Sequence, residues 1–379
     1  LDYNGVSMYN SVINKGMVKY HKDLDSIGIS AVHRIYSFDN RTALEALANV
    51  RYYMIRKEFT QNLPYGFSKY KDYSTETNEY TIYKNDYPLS IGYTYDKYID
   101  NEEYEKLSAI EKQQVMLEAA VLDTKNVKSL AKEDTRSVSD KIKYGTVTVK
   151  SKDGVVVKTD RIRSKKEEST LTLSYEKKKG YEAYLMLDGV ITKKPRIKAK
   201  ISTDNMEKNI VLRNNDLTYA LGRDSYLINL GYSDTSESED VTFTIPIEAK
   251  INYSDVKVCY VPMDDYVSQI EERNEESLQN VLTDKNNEVS GNVTLSSDKV
   301  MVFSIPYSSG WKAYVDGKET SVFRANTMYM GINMTKGSHK VVLRYNSPGL
   351  HLGMMASAAG IIIWILLAVA SKKKKQKGR

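Results

Sequence analysis

The segment PYSSGWKAYVDGKE, residues 306–319, contains the side chains of this sequence that are best suited to contact a sugar. Tyr307, Trp311 and Tyr314 supply aromatic faces, and neighbouring polar groups can hydrogen-bond to the hydroxyls of a sugar that stacks on them. Gly310 permits a tight turn or a bulge beside these rings. We therefore treat Tyr307, Trp311 and Tyr314 as candidate glycan contacts.

The alternation of the strand WKAYV offers a second role for Trp311. Neighbouring residues of a strand point to opposite faces, so Trp311, Ala313 and Val315 share one face, whereas Lys312 and Tyr314 share the other. An apolar face of this kind is typical of a strand that packs on a core. Core packing is therefore the favoured role of Trp311, and glycan contact is the alternative.

The other residues that could do chemistry match no familiar catalytic or metal-binding motif. The histidines are scattered and do not have the HExxH spacing, and the single cysteine, Cys259, leaves no CxxC pair. A GxSxG elbow, a GxxxxGK[ST] loop and a strand-GxGxxG-helix unit are absent from the sequence as well. We assign no catalytic residue, no metal ligand and no cofactor. The histidines are His21, His33, His339 and His351.

Two acidic pairs could in principle act as the acid and base of sugar chemistry. They are Asp23 with Asp25, and Asp264 with Asp265. The second pair stands where a helix is predicted to begin, and negative charge at that position favours the helix dipole. The structural role is therefore the better interpretation of Asp264 and Asp265.

The charge of the chain argues against a nucleic acid partner. The formal net charge is +6. The Lys and Arg residues of the last eight positions account for all of it, so the rest of the chain is neutral overall. A protein without a broad cationic field has little to attract a phosphate backbone.

The C-terminal end predicts a membrane anchor. Residues 350–370 run for 21 positions without Asp, Glu, Lys or Arg. As a helix they would extend about 31 Å, which matches one bilayer core. The basic run SKKKKQKGR, residues 371–379, follows directly and is expected to stay in the cytoplasm, which places the bulk of the chain outside a bacterial plasma membrane. A tail-anchored protein with its bulk in the cytosol is the alternative topology.

The first 30 residues show no basic start followed by an apolar stretch, as an export signal would. We therefore expect this chain to be the C-terminal part of a longer membrane protein whose earlier helices carry it across the membrane.

The pattern of the chain predicts an α+β protein with β-rich, sandwich-like or jelly-roll-like domains and one C-terminal transmembrane helix. The predicted regions are a mixed α/β N-terminal region (1–125), an irregular linker (126–140), a β-rich domain (141–263), a connecting helix (264–290), a β-sandwich lobe (291–349), the membrane helix (350–370) and the basic tail (371–379).

Several local features carry this prediction. A capping box, Ser108 with Glu111, predicts the start of a helix, and Asp39 or Asn40 is expected to cap another helix that leads into the strand RYYMI. Helical spacing extends over residues 265–282. Asp-Gly pairs predict hairpins at Asp153-Gly154, Asp188-Gly189 and Asp316-Gly317.

The C-terminal residues also resemble a known family. Pro-Tyr, Gly-Trp and Asp-Gly landmarks in one β unit, then a Gly-x-His strand and Tyr-x-x-Pro-Gly before the last helix, are similar to the end of bacterial YfhO-like membrane proteins. Upstream, ALANVRYYMI, YKNDYPLSIGY and EKQQVML are similar to further segments of that family. The landmarks are Pro306, Tyr307, Gly310, Trp311, Asp316, Gly317, Gly337, His339, Tyr345, Pro348 and Gly349.

This resemblance implies a polytopic glycosyltransferase of the GT-C type. Such an enzyme would transfer sugar from a polyprenyl-phosphate donor to a cell-envelope polymer such as lipoteichoic acid. The catalytic acid would then lie in an earlier loop, and this chain would position the acceptor polymer or brace the membrane part. A membrane-anchored carbohydrate-binding module or adhesin without catalysis is the alternative.

Overall fold

The protein is described here by a computed structural model that covers residues 5–9, 13–59, 61–214, 222–283 and 287–377. Most regular structure is strand, and the helices are gathered near the N-terminal part and at the C-terminal end. The predicted α+β class is confirmed. Two β-sandwiches lie on either side of a core that short helices help to build.

The N-terminal part contributes short helices and small sheets to that shared core. Its helices are α1 (Lys15–Asp23), α2 (Thr42–Leu47), α3 (Asn101–Lys106) and α4 (Ala109–Glu118). Its strands are β1 (Met8–Tyr9), β2 (Ile29–Ala31), β3 (Arg34–Ile35), β4 (Tyr52–Arg56), β5 (Phe67–Ser74), β6 (Glu79–Asn85), β7 (Gly92–Tyr95), β8 (Lys97–Asp100) and β9 (Ala120–Leu122). An antiparallel sheet has the order β4-β6-β5.

The starts of α4 and α2 illustrate one correct and one wrong prediction. At α4 the carboxylate of Glu111 accepts from the Ser108 N–H at 2.8 Å and the Ser108 hydroxyl accepts from the Glu111 N–H, so the capping box is confirmed. At α2 the N-cap position is Arg41, whose side chain makes no capping bond, and the distant Glu182 carboxylate accepts from the Thr42 N–H at 3.3 Å instead. Asp39 and Asn40 take left-handed φ values of 61° and 56°, and their side chains bond to distant segments instead.

Residues 126–140 contain regular structure and are not the irregular segment predicted. After a 3-10 turn (Thr124–Asn126) come β10 (Ala131–Lys132) and α5 (Arg136–Lys141). β10 pairs in parallel with β8, and Lys132 forms a 2.8 Å ion pair with Asp100. This exposed two-residue edge strand is therefore held by backbone pairing and an ion pair rather than by a core. The domain boundary placed in this segment stays a prediction.

The middle of the chain forms the first sandwich. Its strands are β11 (Lys143–Thr146), β12 (Thr148–Asp153), β13 (Val155–Lys158), β14 (Arg161–Ser164), β15 (Ser169–Glu176), β16 (Tyr181–Asp188), β17 (Ile191–Thr192), β18 (Arg196–Thr203), β19 (Met206–Arg213), β20 (Tyr226–Ser233), β21 (Ser238–Ile245), β22 (Lys250–Asn252) and β23 (Asp255–Pro262). A five-stranded sheet, β12-β15-β21-β18-β19, faces a four-stranded sheet, β11-β23-β16-β20, across one apolar core.

The four-stranded sheet is buried on both faces. Along β16, Leu185 and Leu187 point into the sandwich core, while the alternate residues Tyr184 and Met186 point into the core shared with the N-terminal helices. The side chains of a strand that is buried on both faces do not reach water. Any polar group that it presents to the helices must therefore find a partner inside the protein.

Of the three predicted Asp-Gly hairpins, the one at Asp316-Gly317 is confirmed. There the two residues have φ values of 51° and 80°, and the flanking strands pair directly, as a two-residue turn with positive φ requires. Gly154 and Gly189 also have positive φ, but the strands before and after each of them belong to different sheets. At these two places Asp-Gly lets the chain pass from one sheet to another, so the hairpin predictions are wrong.

The predicted helix over residues 265–282 is shorter than expected. α6 (Tyr266–Glu275) ends early, and the following residues form strand β24 (Gln279–Leu282). Gln279 pairs with Asn292 across the next sheet, and Leu278 is buried in the core of the C-terminal lobe. Tertiary pairing therefore overrides the helical spacing of these residues.

The C-terminal lobe is the second sandwich. Its strands are β25 (Glu288–Leu295), β26 (Lys299–Pro306), β27 (Trp311–Val315), β28 (Lys318–Thr320), β29 (Phe323–Ala325), β30 (Tyr329–Met334) and β31 (Gly337–Tyr345). One sheet has the order β24-β25-β31-β27-β28, and the other has the order β29-β30-β26-β7. The second sheet is completed by a strand from the N-terminal part, since β7 pairs with β26.

The last helix, α7 (Leu350–Lys377), contains the predicted membrane segment. Within the described part of the chain it is the one helix that is long and apolar enough to cross a membrane, over Leu350–Ala370. The helix continues through most of the predicted basic tail, and residues 378 and 379 lie outside the described residues.

Candidate functional site

Trp311 lies on β27 at the margin of the C-terminal lobe, next to the turn that leads into α7. Its half-buried indole packs against the lobe core on the same face as Ala313, as the strand alternation predicts. The ring of Tyr345 is 5.2 Å away between centroids and tilted by 53°. Gly310 lies beside this pair, where a Cβ atom would collide with the carbonyl oxygen of Asn346. The turn and the indole therefore pack as one unit.

Tyr307 and Tyr314 lie in different surroundings from Trp311. Tyr307 packs against the lobe core, with the Arg324 guanidinium 5.0 Å from its ring centroid, and its carbonyl accepts from the Asn14 side chain. Tyr314 points to the opposite face of β27, where the Arg344 guanidinium is 5.5 Å from its ring centroid. The three candidate aromatic residues thus do not form one continuous surface. Their role as glycan contacts stays a prediction.

A second cluster, which sequence reasoning did not find, lies between α2 and the first sandwich. We call it the polar junction. It consists of Asp39, Asn40, Arg41, Thr42, Glu45, Tyr53, Gln113, Glu182, Tyr184, Lys208 and Asn229. Most of its side chains are fully buried. They come from α2 and the residues before it, from β4 and α4, and from three strands of the sandwich.

Glu182 is the acceptor at the centre of the polar junction. One carboxylate oxygen accepts from the Thr42 hydroxyl at 2.8 Å and from the Asn229 amide at 3.1 Å, and the other accepts from the Tyr184 hydroxyl. Tyr184 in turn accepts from the Gln113 amide at 2.8 Å. Burial raises the pKa of Glu182 above its ordinary value, while these donors oppose that shift. The carboxylate therefore links the sandwich to α2 and α4 through hydrogen bonds alone.

Arg41 is one of the two cations of the junction, and it is fully buried. Its guanidinium donates to the carbonyl oxygen of Leu24 at 2.7 Å and to that of Leu227. The ring of Tyr184 lies 5.9 Å from the guanidinium carbon. Arg41 thus fastens the end of α1 to β20 of the sandwich, because each carbonyl belongs to a different element.

Asp39 and Lys208 form a buried ion pair at the edge of the junction. The Lys208 ammonium is 2.8 Å from one oxygen of Asp39 and also donates to the Asn229 carbonyl at 2.8 Å. The other Asp39 oxygen accepts from the Asn229 N–H at 2.8 Å. Burial lowers the pKa of Lys208, and the neighbouring Asp39 opposes this change. The left-handed backbone at Asp39 is what turns its carboxylate toward the sandwich.

Glu45 is the least satisfied carboxyl group of the junction. One oxygen accepts from the Tyr53 hydroxyl at 2.6 Å, and the other is buried without a hydrogen-bond partner. Burial raises the pKa of Glu45 to about 7, with Asp39 adding to the shift and Tyr53 opposing it. A carboxyl group with this pKa is partly protonated near neutral pH. When the unpartnered oxygen carries the proton, the group is neutral and no negative charge is buried there.

The polar junction is well suited to hold the parts of the protein in a fixed arrangement. Its groups face one another rather than solvent, and it joins residues that are up to 190 positions apart in the chain. No spacing rule could bring Arg41, Glu182 and Asn229 together from the sequence. The sequence offered two local signals. Glu45 stands among apolar residues in TALEAL, and Glu182 stands inside the β-favouring run YEAYLML.

Among the other candidates from the sequence, Asp25 touches this cluster, because its backbone carbonyl oxygen accepts from the Arg41 guanidinium at 3.5 Å. Asp23 forms a 2.6 Å ion pair with Lys19, and Asp265 pairs with Lys141 at 3.0 Å. His21 is buried, stacks on Phe38 and has its pKa lowered to about 3, chiefly by burial. Across the described ranges, no group of three or more His, Cys, Asp or Glu residues could hold a metal ion.

Taken together, two β-sandwiches, a buried core between them and one C-terminal helix that is long and apolar enough to cross a membrane define the class of this protein. The family model of the bacterial membrane protein YfhO matches residues 1–357. The chain therefore belongs to the YfhO family of bacterial membrane proteins, and the predicted resemblance is confirmed.

The relative named uncharacterized protein YfhO, from Bacillus subtilis (strain 168), is 25% identical over 398 residues. The match covers 99% of this chain but only 42% of that relative, so the chain spans less than half the length of the relative.

Similarity to solved structures is weak. A family GH115 glucuronidase, BtGH115A, matches with a TM-score of 0.24 and 13% identity, over 31% of this chain and 18% of that one. The arabinofuranosyltransferase AftD from Mycobacteria, mutant R1389S, matches with a TM-score of 0.20 and 13% identity, over 53% of this chain and 23% of that one. Neither match assigns this chain to a known fold.

Proposed function

We propose that this chain is the extracytoplasmic C-terminal portion of a polytopic membrane glycosyltransferase. The whole protein would transfer sugar from a polyprenyl-phosphate donor to a cell-envelope polymer such as lipoteichoic acid. Membership of the YfhO family over residues 1–357 is the observation that carries this proposal. This chain braces the membrane part of that protein or positions the acceptor polymer. Its basic tail lies in the cytoplasm.

The architecture supports a bracing role. The core between the two sandwiches contains residues from the N-terminal helices, from β16 and β23 of the first sandwich, and from β7 and β26 of the second. The polar junction adds buried charged hydrogen bonds, which are expensive to break once formed. A scaffold fastened in this way can hold a polymer at a fixed place relative to the membrane helix that follows it.

A carbohydrate-binding module without catalysis is the second candidate. Tyr314 favours it, because its ring is only partly buried and lies on the outer face of the lobe beside Arg344. In that case the chain would bind an envelope polymer, but the protein that contains it would transfer no sugar.

The test is a transfer assay on the full-length protein that contains this chain, reconstituted in lipid vesicles. A radiolabelled polyprenyl-phosphate sugar is the donor, and purified lipoteichoic acid is the acceptor. We expect transfer by the full-length protein and none by this chain alone. Transfer by residues 1–349 alone would place catalysis within this chain and overturn the proposal. Absence of transfer by the full-length protein, together with polymer binding, would favour the binding module.

The proposed orientation has its own test. Protease added to intact protoplasts should remove the sandwiches and leave the last helix, and protease added to opened vesicles should also remove the basic tail. Protection of the sandwiches in intact protoplasts would show that they lie in the cytosol.

A further inference from the structure

The sheet β4-β6-β5 presents an aromatic surface that no other element of the described residues covers. Its outer face carries Tyr52, Met54, Tyr70 and Tyr73, whose exposed fractions are 54%, 56%, 54% and 49%. The rings of Tyr52 and Tyr70 are 5.8 Å apart, across the middle strand. We call this outer side the tyrosine face. Exposed aromatic area of this extent usually marks a binding surface.

The register of the sheet decides which residues belong to the tyrosine face. Directly paired residues of an antiparallel sheet point to the same side. Tyr52 pairs with Lys84, Met54 with Ile82 and Arg56 with Tyr80. On the other edge, Ser68, Lys71 and Tyr73 pair with Lys84, Ile82 and Tyr80, and a bulge places Tyr70 next to Lys71. The outward residues of the three strands are therefore Tyr52, Met54, Arg56, Ser68, Tyr70, Lys71, Tyr73, Tyr80, Ile82 and Lys84.

Within the three strands the charges of the tyrosine face have one sign, and the Asp86 carboxylate, just beyond β6, accepts from the Ser68 hydroxyl at 2.9 Å. Its ionisable groups, apart from tyrosine, are Arg56, Lys71 and Lys84, and no carboxylate points outward from the three strands. Arg56 reaches Glu58, which lies just beyond β4, at 3.4 Å. Among the described residues, Lys71 and Lys84 have no carboxylate within ion-pair distance, and Lys71 lies 5.5 Å from the ring centroid of Tyr70.

The inner face of the same sheet is different, because its charges are paired. Lys57 forms an ion pair with Glu79 at 3.2 Å, and Lys69 forms one with Asp72 at 2.9 Å. Protection of a free sheet edge could explain Lys71, which lies on an edge strand, but not Lys84, which lies on the middle strand. The uncompensated charge of the outer face therefore points to an anionic ligand.

The aromatic residues indicate which anionic ligand. The exposed rings are tyrosines, which combine an apolar face with a hydroxyl at the edge. The C–H groups of a sugar ring can stack on such a face while the sugar hydroxyls bond to the phenol and water. The eight residues of β5 extend about 26 Å, long enough for several sugar units. A lipid surface would be better served by larger apolar side chains that insert between acyl chains.

We propose that the tyrosine face is a binding surface for an anionic carbohydrate polymer, which stacks on Tyr52, Tyr70 and Tyr73 and pairs with Lys71 and Lys84. This inference deepens the proposed function and rests on it only for the idea that the bound polymer is the acceptor. The binding itself requires no transfer reaction.

The experiment measures binding of the whole chain, held in lipid nanodiscs, to fluorescent probes by anisotropy. An oligogalacturonate long enough to span the sheet supplies both sugar rings and charge. Dextran supplies rings without charge, and polyglutamate supplies charge without rings. We expect oligogalacturonate to bind about tenfold more tightly than either of the other probes. Its affinity should fall as salt rises, because ion pairing contributes.

Variants then assign the binding to this surface. Tyr70→Ala combined with Tyr73→Ala should weaken oligogalacturonate binding about tenfold. Lys71→Gln with Lys84→Gln should weaken it and flatten the salt dependence. Tyr144→Ala is the matched control, because Tyr144 is 50% exposed on another sheet. It should bind as the unchanged chain does.

Three outcomes would overturn the inference. They are no binding to oligogalacturonate, binding that the face variants leave unchanged, and binding of anionic phosphatidylglycerol vesicles that is lost in the same variants. The last result would assign the surface to a membrane.

The transfer assay separates this inference from the proposed function. If the full-length protein transfers no sugar but oligogalacturonate still binds, the proposed function is wrong and the binding surface stands. Full-length protein that transfers sugar normally with both variant pairs in place removes the acceptor role alone.

Discussion

Tyr52 and Tyr53 are neighbours in the sequence, yet they belong to the two regions of this molecule that differ most. Tyr52 is exposed on the tyrosine face, next to the ring of Tyr70. Tyr53 points inward, and its hydroxyl donates to Glu45 at 2.6 Å and is also 2.9 Å from the Asn40 side-chain oxygen. The same residue type thus serves an open surface and the buried polar junction. Strand position, rather than residue type, decides between the two.

This contrast explains the high tyrosine content of the chain, which has 30 tyrosines against 6 phenylalanines. In the shared core, the hydroxyls of Tyr93 and Tyr95 donate to the backbone carbonyls of Leu47 and Met116. Phenylalanine would leave those carbonyls without a partner. On the tyrosine face the hydroxyl meets water, and the ring is available to a ligand.

The largest effect is expected when the polar junction loses the guanidinium of Arg41. Arg41→Ala should lower the free energy of unfolding by about 3 to 5 kcal/mol, because buried carbonyl oxygens lose a charged donor. Urea unfolding of the chain in detergent would measure it. Arg51→Ala is the control, since Arg51 is exposed and its side chain donates to the neighbouring Asn49. It should change stability by less than about 0.5 kcal/mol. Equal effects of the two variants would contradict the structural role of the junction.

The second prediction concerns pH and Glu45. Its pKa is raised to about 7 in the folded protein, so the folded state keeps a proton that the unfolded state releases above its ordinary value of 4.5. Stability contributed by this group is therefore present at low pH and is lost as pH rises toward 7. Glu45→Gln should gain up to about 3 kcal/mol relative to the unchanged chain between pH 5 and pH 8.

The Glu45 measurement is a difference between two proteins at each pH. His21, whose pKa is lowered to about 3, acts in the opposite direction, but it is present in both proteins and cancels in the difference. A difference that stays constant from pH 5 to pH 8 would show that Glu45 does not titrate in this range.

The third prediction concerns Trp311 and asks whether this residue packs in the protein, as Tyr53 does, or binds a ligand, as proposed for the tyrosine face. The indole is half-buried, so Trp311→Ala should destabilise the protein by about 2 kcal/mol, less than the 3 to 5 kcal/mol of a fully buried ring. Polymer binding should be unchanged at temperatures where the variant is folded. Normal stability with a selective loss of glycan binding would instead make Trp311 a ligand contact.

The smallest effects come from the neighbouring tyrosines themselves. Tyr53→Phe removes the hydroxyl that donates to Glu45 and should cost about 1 to 2 kcal/mol. Tyr52→Phe should change stability by less than about 0.5 kcal/mol, since its hydroxyl is exposed. Thermal unfolding of both variants side by side is the measurement. Indistinguishable transitions would remove the distinction between the two faces.

Local features of this fold could be predicted from the sequence, and distant pairings could not. The capping box at Ser108, the turn at Asp316-Gly317 and the inward side of Trp311 follow from neighbouring residues, and the structure contains all three. The helix predicted to continue to residue 282 depended on spacing alone and lost to pairing with β25. The same limit hid the polar junction, since Glu182 meets Thr42 across 140 residues.

The tyrosine face shows a further limit. Its tyrosines were visible in the sequence, but their side of the sheet depends on the bulge near Tyr70, which shifts the register of β5 by one residue. Without the bulge, strict alternation would not place Tyr70 and Tyr73 on one side. Sequence reasoning turned instead to Trp311, where a turn motif and a rare residue type coincide.

The pairing of β7 with β26 also limits when the C-terminal lobe can form during synthesis. It completes a sheet of the C-terminal lobe by pairing with β26, which the ribosome makes about 200 residues later. At about 5 to 20 residues per second, β7 waits on the order of 10 to 40 seconds for its partner. Through that interval a strand that is buried in the folded protein keeps its backbone groups free and can pair with wrong partners. Tyr93 and Tyr95 of β7 belong to the core shared with the N-terminal helices, so that core can shelter β7 before β26 is made.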